Sequence, residues 1–230
     1  MSSIFTYLGT KDLDYRTLLR AQRDLLIGDR EIPLARLVIC EQTHSNYVHI
    51  CSEDDCGAGF KDHPQIAGAD GLATNIPQQY LVIRTADCYP VLIYDKDAAA
   101  VAAIHCGREG SRMNIAGKAV AVLVDHYGCD PANLIALIGA GICERHYEVS
   151  EELYTAYQDS LKQDQIGFCP SRDRHINIRT VIFQQLNRAG LPANNIENLH
   201  ICTYENPDYF SYRRDHGNNR QINLIGIANE

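Results

Sequence analysis

Apolar positions along this chain fall into short blocks, most of them the length of strands. The run ARLVICEQ reads as one strand, and NYVHICS reads as a second that could pair with it. The segment EDDCGAGFKDHPQIAGADG is rich in Gly and Asp and predicts a long surface loop. Three β-type runs follow, LVIRTA, VLIYD and AVAAIHC, with DKDA as a hairpin turn between the last two. NLIALIGAG predicts a buried strand running into a glycine turn. LHICTY and QINLIGIA predict two more strands, separated by the loop ENPDYFSYRRDHGNN.

Three segments instead follow the helical period. Ile115, Ala119, Val122 and Leu123 share one face, with Ser111 a candidate cap. Ser150 precedes Glu151 and Glu152, an acidic first turn suited to the helix dipole, and Leu153, Tyr157 and Leu161 align behind it. Ile178, Val181, Ile182 and Leu186 align in a third, which Gly190 and Pro192 stop. Strands outnumber helices and come in hairpin-like groups, not in strict alternation, so the predicted class is α+β. No linker, repeat or charge block divides the chain, and residues 1–230 read as a single domain with room for a real core.

Composition narrows the function classes. A net charge of −8 disfavours nucleic acid or an anionic membrane as the main partner. The longest apolar region, Leu81 to Ile104, is broken by Arg84, Asp87, Asp95, Lys96 and Asp97, which excludes a spanning helix there. The opening MSSIFTYLGTKDLDYR lacks the basic and apolar regions of a secretory signal, so the expected location is the cytoplasm. The nine scattered cysteines then read as reduced thiols, most of them small buried apolar residues. Cys51 and Cys56 flank SEDD, which is not a zinc-knuckle spacing.

Candidate chemistry lies where three runs end. EQTHSN carries His44, TADCYP carries Cys88, and AAIHCGREG carries His105. His105 admits three readings: a satisfied buried histidine, a metal ligand, or the base of a Cys88/His105 nucleophile pair. Two histidines and one cysteinate would make a three-ligand zinc centre, with a fourth position left for water or substrate. Strand alternation turns Cys106 away from the His105 side, toward the core. Spacing alone does not decide among the three.

The chain resembles the YfiH-like family, whose members are called multicopper polyphenol oxidoreductases, laccase-domain proteins or purine nucleoside phosphorylases. The resemblance rests on Gln42-Thr43-His44, Ala69 to Thr74, Ala86-Asp87-Cys88-Tyr89-Pro90-Val91, and Ile138, Gly139 and Ile142 with Tyr147-Glu148-Val149. It continues through Cys202 to Tyr204, Phe210 to Asp215 and Asn219 to Gln221, in order along nearly the whole chain. It implies His44, Cys88 and His105 as zinc ligands, with copper as a substitute. It implies a mixed β-sandwich flanked by helices in four layers, α/β/β/α. The implied activities are phosphorolysis of adenosine, inosine and methylthioadenosine, together with adenosine deamination. The implied small-molecule partners are a purine nucleoside and phosphate; monomer and homodimer both stay open.

The stretch His105-Cys106-Gly107-Arg108-Glu109-Gly110 departs from the family's usual His-Ala-Gly-Trp-Arg-Gly, and Ala140 replaces its usual proline. The ligand framework is kept, while one wall of the pocket exchanges an aromatic for a cation. For phosphate, the candidates are Arg84, Arg213 and Arg214, whose forked donors suit a bidentate anion. Asp87 is a candidate acid/base or water-orienting group beside the ligand cysteine, or a turn cap. Tyr204, Phe210 and Tyr212 are candidates for stacking on a base. A four-copper oxidase bridges its copper cluster with His-x-His pairs, and the nine histidines here form none. Three alternatives remain beside the zinc-dependent phosphorylase and deaminase: a cysteine-dependent hydrolase editing peptidoglycan precursors, a copper-binding polyphenol oxidoreductase, and a metal-binding module without catalysis.

Overall fold

Alternation along the central strands sorts the apolar residues into two faces and so fixes the layers. The computed structural model describes residues 3–95, 97, 100–165, 167–170 and 173–228. In chain order its elements are β1 (Ser3–Leu8), α1 (Tyr15–Ala21), β2 (Leu25–Ile27), β3 (Arg30–Ile32), β4 (Leu37–Ile39), β5 (Val48–Ile50), β6 (Gly71–Thr74), β7 (Tyr80–Thr85), β8 (Tyr89–Asp95) and β9 (Ala100–Cys106). There follow α2 (Arg108–Arg112), α3 (Ile115–Tyr127), β10 (Ile135–Ile138), α4 (Glu151–Gln163), α5 (Ile178–Arg188), β11 (Ile196–Asn198), α6 (Tyr212–Asp215) and β12 (Gln221–Ala228). A four-stranded sheet runs β1-β12-β7-β4 and a six-stranded sheet runs β11-β10-β8-β9-β6-β5. Both are mixed, with β4 parallel to β7 and β5 parallel to β6.

Leu81 and Ile83 of β7, with Ile225 and Ile227 of β12, meet Leu72, Leu92, Val101 and Ala103 of the larger sheet in one buried cluster. The alternate residues of β8 and β9, among them Val91, Ile93, Ala102 and Ile104, pack instead against α3, α4 and α5. On the outer face of the smaller sheet, Tyr80, Val82, Ile222 and Leu224 are covered by Tyr15 and Leu18 of α1 and by Leu25 and Ile32 of the β2–β3 hairpin. Each of the buried Val, Leu and Ile side chains contributes roughly 1.5–3 kcal/mol on burial. The architecture is therefore the expected helix-flanked mixed sandwich.

The three predicted helices form, and their ends follow side-chain chemistry. Ser150 Oγ accepts the Leu153 amide, and Asn177 Oδ1 accepts that of Thr180. Gly128, at φ 73°, closes α3 by turning its N–H back to Leu123 and Val124. Ser111 is not the cap of α3: it lies buried inside α2, and Asn114 precedes α3. Leu153 is exposed, so α4 buries Tyr157 and Leu161 alone.

Other expectations change with the sheet assignment. The ARLVICEQ and NYVHICS strands do not pair; they belong to different sheets, each joined to a partner distant in sequence. LVIRTA likewise lies in the sheet opposite VLIYD and AVAAIHC. The DKDA turn lies partly outside the described residues, but the strands beside it pair antiparallel from Tyr89↔Cys106 to Asp95↔Ala100. LHICTY is not a strand; β11 forms just upstream, and Cys202 makes one isolated bridge with Gly141. The segment from Glu53 to Gly71 is no mere surface loop, because Ala58, Phe60, Ala69 and Asp70 are buried in it.

Candidate active site

Three strand ends converge at one end of the six-stranded sheet. Antiparallel pairing sets Pro90 opposite His105, so the residue entering β8, Cys88, lies beside the end of β9. Gly71 pairs with Ile104, which brings Asp70 at the entry to β6 next to His105. His105 has the same strand parity as Val101 and Ala103, which face the other sheet, so its imidazole stands at the rim of the space between the sheets. Cys106 turns to the helical side and is fully buried, as alternation predicts.

Asp70 organises this rim. Its Oδ1 lies 2.7 Å from His105 Nδ1 and also accepts the His44 amide at 3.0 Å. Its Oδ2 accepts the Ser45 amide at 2.7 Å. The His105 amide in turn donates to the Asp70 carbonyl at 2.7 Å. Those bonds hold the EQTHSN loop, where Gln42 and His44 both take positive φ (58° and 64°), a conformation that non-glycine residues adopt only when their surroundings impose it. With Nδ1 spent on a carboxylate, the His105 Nε2 is the free nitrogen.

His44, Cys88 and His105 bring their ligand atoms within 4.8 Å of one another. Cys88 Sγ lies 3.9 Å from His44 Nε2, and the two imidazoles meet edge to face at 5.0 Å between centroids. Gly107 forms the floor: a Cβ there would fall 2.8 Å from Cys88 Sγ and 3.2 Å from His44 Cδ2. Burial pushes the Cys88 thiol up, but the His105 and His44 imidazoles outweigh it and hold it at about 6. Burial favours the neutral His105 ring, yet Cys88 and Asp70 raise it to about 9. Two imidazole nitrogens and a thiolate form a donor set that fits zinc, with the Asp70 carboxylate as the orienting partner behind one histidine.

These residues line a cavity of about 650 Å³ whose walls carry Arg16, Arg84, Arg108, Arg213 and Arg220. Arg84 stacks over Tyr15 at 4.5 Å and donates to the carbonyls of Cys40 and Glu41 and to Gln42 Oε1. Arg213 stacks over Tyr147 at 5.2 Å and donates to the Glu148 carbonyl. Arg214 does not line the cavity: its guanidinium is consumed by Asp215 and the carbonyls of Thr203, Tyr204, Asn206 and Tyr209. Asp87 lines it, but both carboxylate oxygens are engaged, by Thr203 Oγ1 at 2.7 Å and the Arg213 amide at 2.6 Å. Of the three candidate stacking aromatics only Tyr212 reaches the cavity; Tyr204 stacks on His146, and Phe210 lies under Lys11. Cys51 and Cys56 do not converge on a common ligand: Cys51 sits with His49 and Asp55, and Cys56 contacts Glu53 and Gln79.

Two wall residues had a weaker signal in the sequence. Tyr147 belongs to the Tyr-Glu-Val element and is held against Arg108. Arg108, which departs from the family pattern, is anchored through Nε to Glu109 at 2.9 Å, and Glu109 also binds Arg112 at 2.8 Å. The replaced aromatic has thus become a braced cation facing the cavity.

Comparison with known proteins places the chain in a family and agrees with the fold. The family model described as multi-copper polyphenol oxidoreductase laccase matches residues 6–228. A purine nucleoside phosphorylase of Bacteroides thetaiotaomicron is 34% identical over 205 residues, covering 85% of this chain and 74% of that protein. One from Corynebacterium glutamicum is 31% identical over 195 residues, covering 85% and 76%. Among solved structures, YlmD of Geobacillus stearothermophilus superposes with a TM-score of 0.79 at 28% identity, over 86% of this chain and 76% of that one. YfiH of Bacillus licheniformis gives 0.76 at 30%, over 84% and 74%. Among the described residues no helix is long and apolar enough to cross a membrane. With a match from end to end and the His44, Cys88 and His105 cluster at its centre, the chain belongs to the YfiH-like, multi-copper polyphenol oxidoreductase laccase family.

Proposed function

We propose that the protein is a metal-dependent purine nucleoside phosphorylase, with zinc held by His44, Cys88 and His105. The observation that carries this reading is a cysteine sulfur and two imidazoles opening into an arginine-lined cavity. Phosphorolysis needs an anion held against the ribose C1′ while the glycosidic bond breaks and the purine leaves. Arg213 and Arg108, set around Tyr147, supply charge-assisted donors for that anion. Asp87 fixes the Arg213 backbone and so positions this donor, while its own engaged carboxylate leaves it poorly suited to proton transfer. Tyr212 offers an aromatic face for the base. Bound zinc would supply Lewis acidity beside the reacting centre. With Nε2 on the metal, the His105 Nδ1 proton is held on Asp70, which fixes the ring as an oriented ligand. Adenosine deamination and methylthioadenosine phosphorolysis belong to the same proposal, as does a cytoplasmic location.

The test is turnover of adenosine, inosine and methylthioadenosine with and without phosphate, followed by chromatography. Free base formed only with phosphate, and lost in His105→Ala, supports the reading; full turnover in His44→Ala, Cys88→Ala and His105→Ala variants would remove it. The low Cys88 thiol favours one second reading, a cysteine-dependent hydrolase with His105 as base. Turnover lost on chelation supports the metal enzyme. Turnover that survives chelation and is lost on alkylation supports the hydrolase.

A further inference from the structure

A second group of metal-competent side chains stands apart from the His44, Cys88 and His105 cluster and shares no ligand with it. Cys143 and His146 lie three residues apart across the turn after β10, and Cys202 and Glu205 lie three apart in the segment after β11. The two pairs face each other. His146 Nδ1 is 3.3 Å from Cys143 Sγ, 3.9 Å from Cys202 Sγ and 3.4 Å from Glu205 Oε1, and Cys143 Sγ is 3.9 Å from Glu205 Oε1. Bond lengths of 2.0–2.3 Å in a tetrahedron place neighbouring ligand atoms about 3.3–3.8 Å apart, so these four separations stand close to edges of a zinc polyhedron, and all four donors lie within 4.8 Å of one another.

The surroundings suit such a site. Tyr204 stacks on the His146 ring at 4.4 Å and 19°, which fixes its plane. The Cys143 amide lies 3.3 Å from Cys202 Sγ, a donor that stabilises a thiolate. Arg145 Nη2 holds Glu205 Oε1 at 2.6 Å and would share that carboxylate with a cation. Cys202 is buried, Cys143 and His146 are half-buried and Glu205 is exposed, which leaves an entry path from solvent. The location has a consequence for the cavity. Ile142 and Tyr147, which bracket Cys143 and His146, line its wall, and Thr203, next to Cys202, holds the Asp87 carboxylate that positions Arg213.

We propose that Cys143, His146, Cys202 and Glu205 form a second zinc site, closed by four protein ligands, that ties the turn after β10 to the C-terminal segment behind the cavity wall. Binding displaces the two thiol protons and leaves no open coordination position, so the site is structural.

Cobalt titration of the full chain under reductant tests this, because the thiolate-to-cobalt charge-transfer band reports cysteine ligation alone. Cys88→Ser removes the single thiolate of the first cluster. In that variant the expected result is one Co²⁺ equivalent whose band has two-thiolate intensity and which Zn²⁺ displaces. Adding Cys143→Ser should halve or abolish the band. Adding Glu205→Gln, a change at an exposed side chain, should weaken Co²⁺ binding about tenfold or more, which keeps the test decisive if the cysteine variant does not fold. A Cys88→Ser protein with no charge-transfer band overturns the proposal. So does a band indifferent to both additional substitutions, or a Cys143–Cys202 disulfide that persists under reductant.

Discussion

Asp70 and His105 are joined twice, by the 2.7 Å contact between Oδ1 and Nδ1 and by the His105 amide on the Asp70 carbonyl. The same carboxylate accepts the amides of His44 and Ser45, so one buried acid sets the position of both histidines of the cluster. Asp70→Asn keeps the volume but supplies an amide that cannot hold the His105 tautomer and both loop amides together. Zinc affinity should fall by about 10–100-fold, measured by competition with a chromophoric chelator. Unchanged affinity would show that Asp70 does not orient the ligands.

Gly107 offers a steric test of the same cluster. Its backbone, at φ −90° and ψ −168°, is open to any residue, so only the added Cβ matters, 2.8 Å from Cys88 Sγ. Gly107→Ala should displace the thiol and reduce zinc binding at least about tenfold, with a stability loss on the order of 1–3 kcal/mol from overpacking. Gly217→Ala, whose Cβ would meet nothing closer than 3.9 Å, serves as the control and should change neither. Equal zinc affinity in Gly107→Ala and wild type would argue against Cys88 as a ligand.

In metal-stripped protein Cys88 should be the first thiol to react. An acid held at about 6 is ionised at neutral pH, whereas burial pushes Cys40 up to about 12 and Cys51 higher still. Iodoacetamide labelling of Cys88 should therefore rise with pH through about 6 and level off near 7. The imidazolium partner persists until about 9, so the thiolate–imidazolium pair spans the window between the two values. His105→Ala removes the main counter-charge and should move the labelling midpoint upward, read by mass spectrometry across a pH series. A midpoint that stays near 6 in that variant would assign the low value to another group.

The sequence makes the two chemistry-bearing strand ends and the ligand types legible, because β8 and β9 are local partners and their alternation can be counted. It does not show that ARLVICEQ and NYVHICS part into different sheets, since each pairs with a strand far along the chain and no local pattern encodes that choice. The short elements β1, α1 and the β2–β3 hairpin are hard to see for a related reason: their apolar faces are defined by the outer surface of the smaller sheet. Asp70 hides in a glycine-rich segment that looks like loop, and only the geometry shows its carboxylate facing His105. Arg214 and Arg213 are adjacent and chemically alike in sequence, yet the first turn of α6 sends one to backbone carbonyls and the other to the cavity.

That divergence gives the sharpest contrast between neighbouring variants. Arg213 faces the cavity with Nη1 on one carbonyl and its face on Tyr147, so Arg213→Met removes a donor at modest structural cost. The KM for phosphate should rise about tenfold, the loss expected for a charge-assisted contact of about 1.4 kcal/mol or more, with a smaller change in the nucleoside KM. Arg214→Met instead strips partners from four carbonyls and the Asp215 carboxylate. Loss of this network should lower stability by about 2 kcal/mol or more, read as a fall in Tm, while the phosphate KM of the protein that remains folded stays near wild type. The opposite pattern, a stable Arg214→Met with a raised phosphate KM, would assign the anion to Arg214 and require the C-terminal segment to rearrange when phosphate binds.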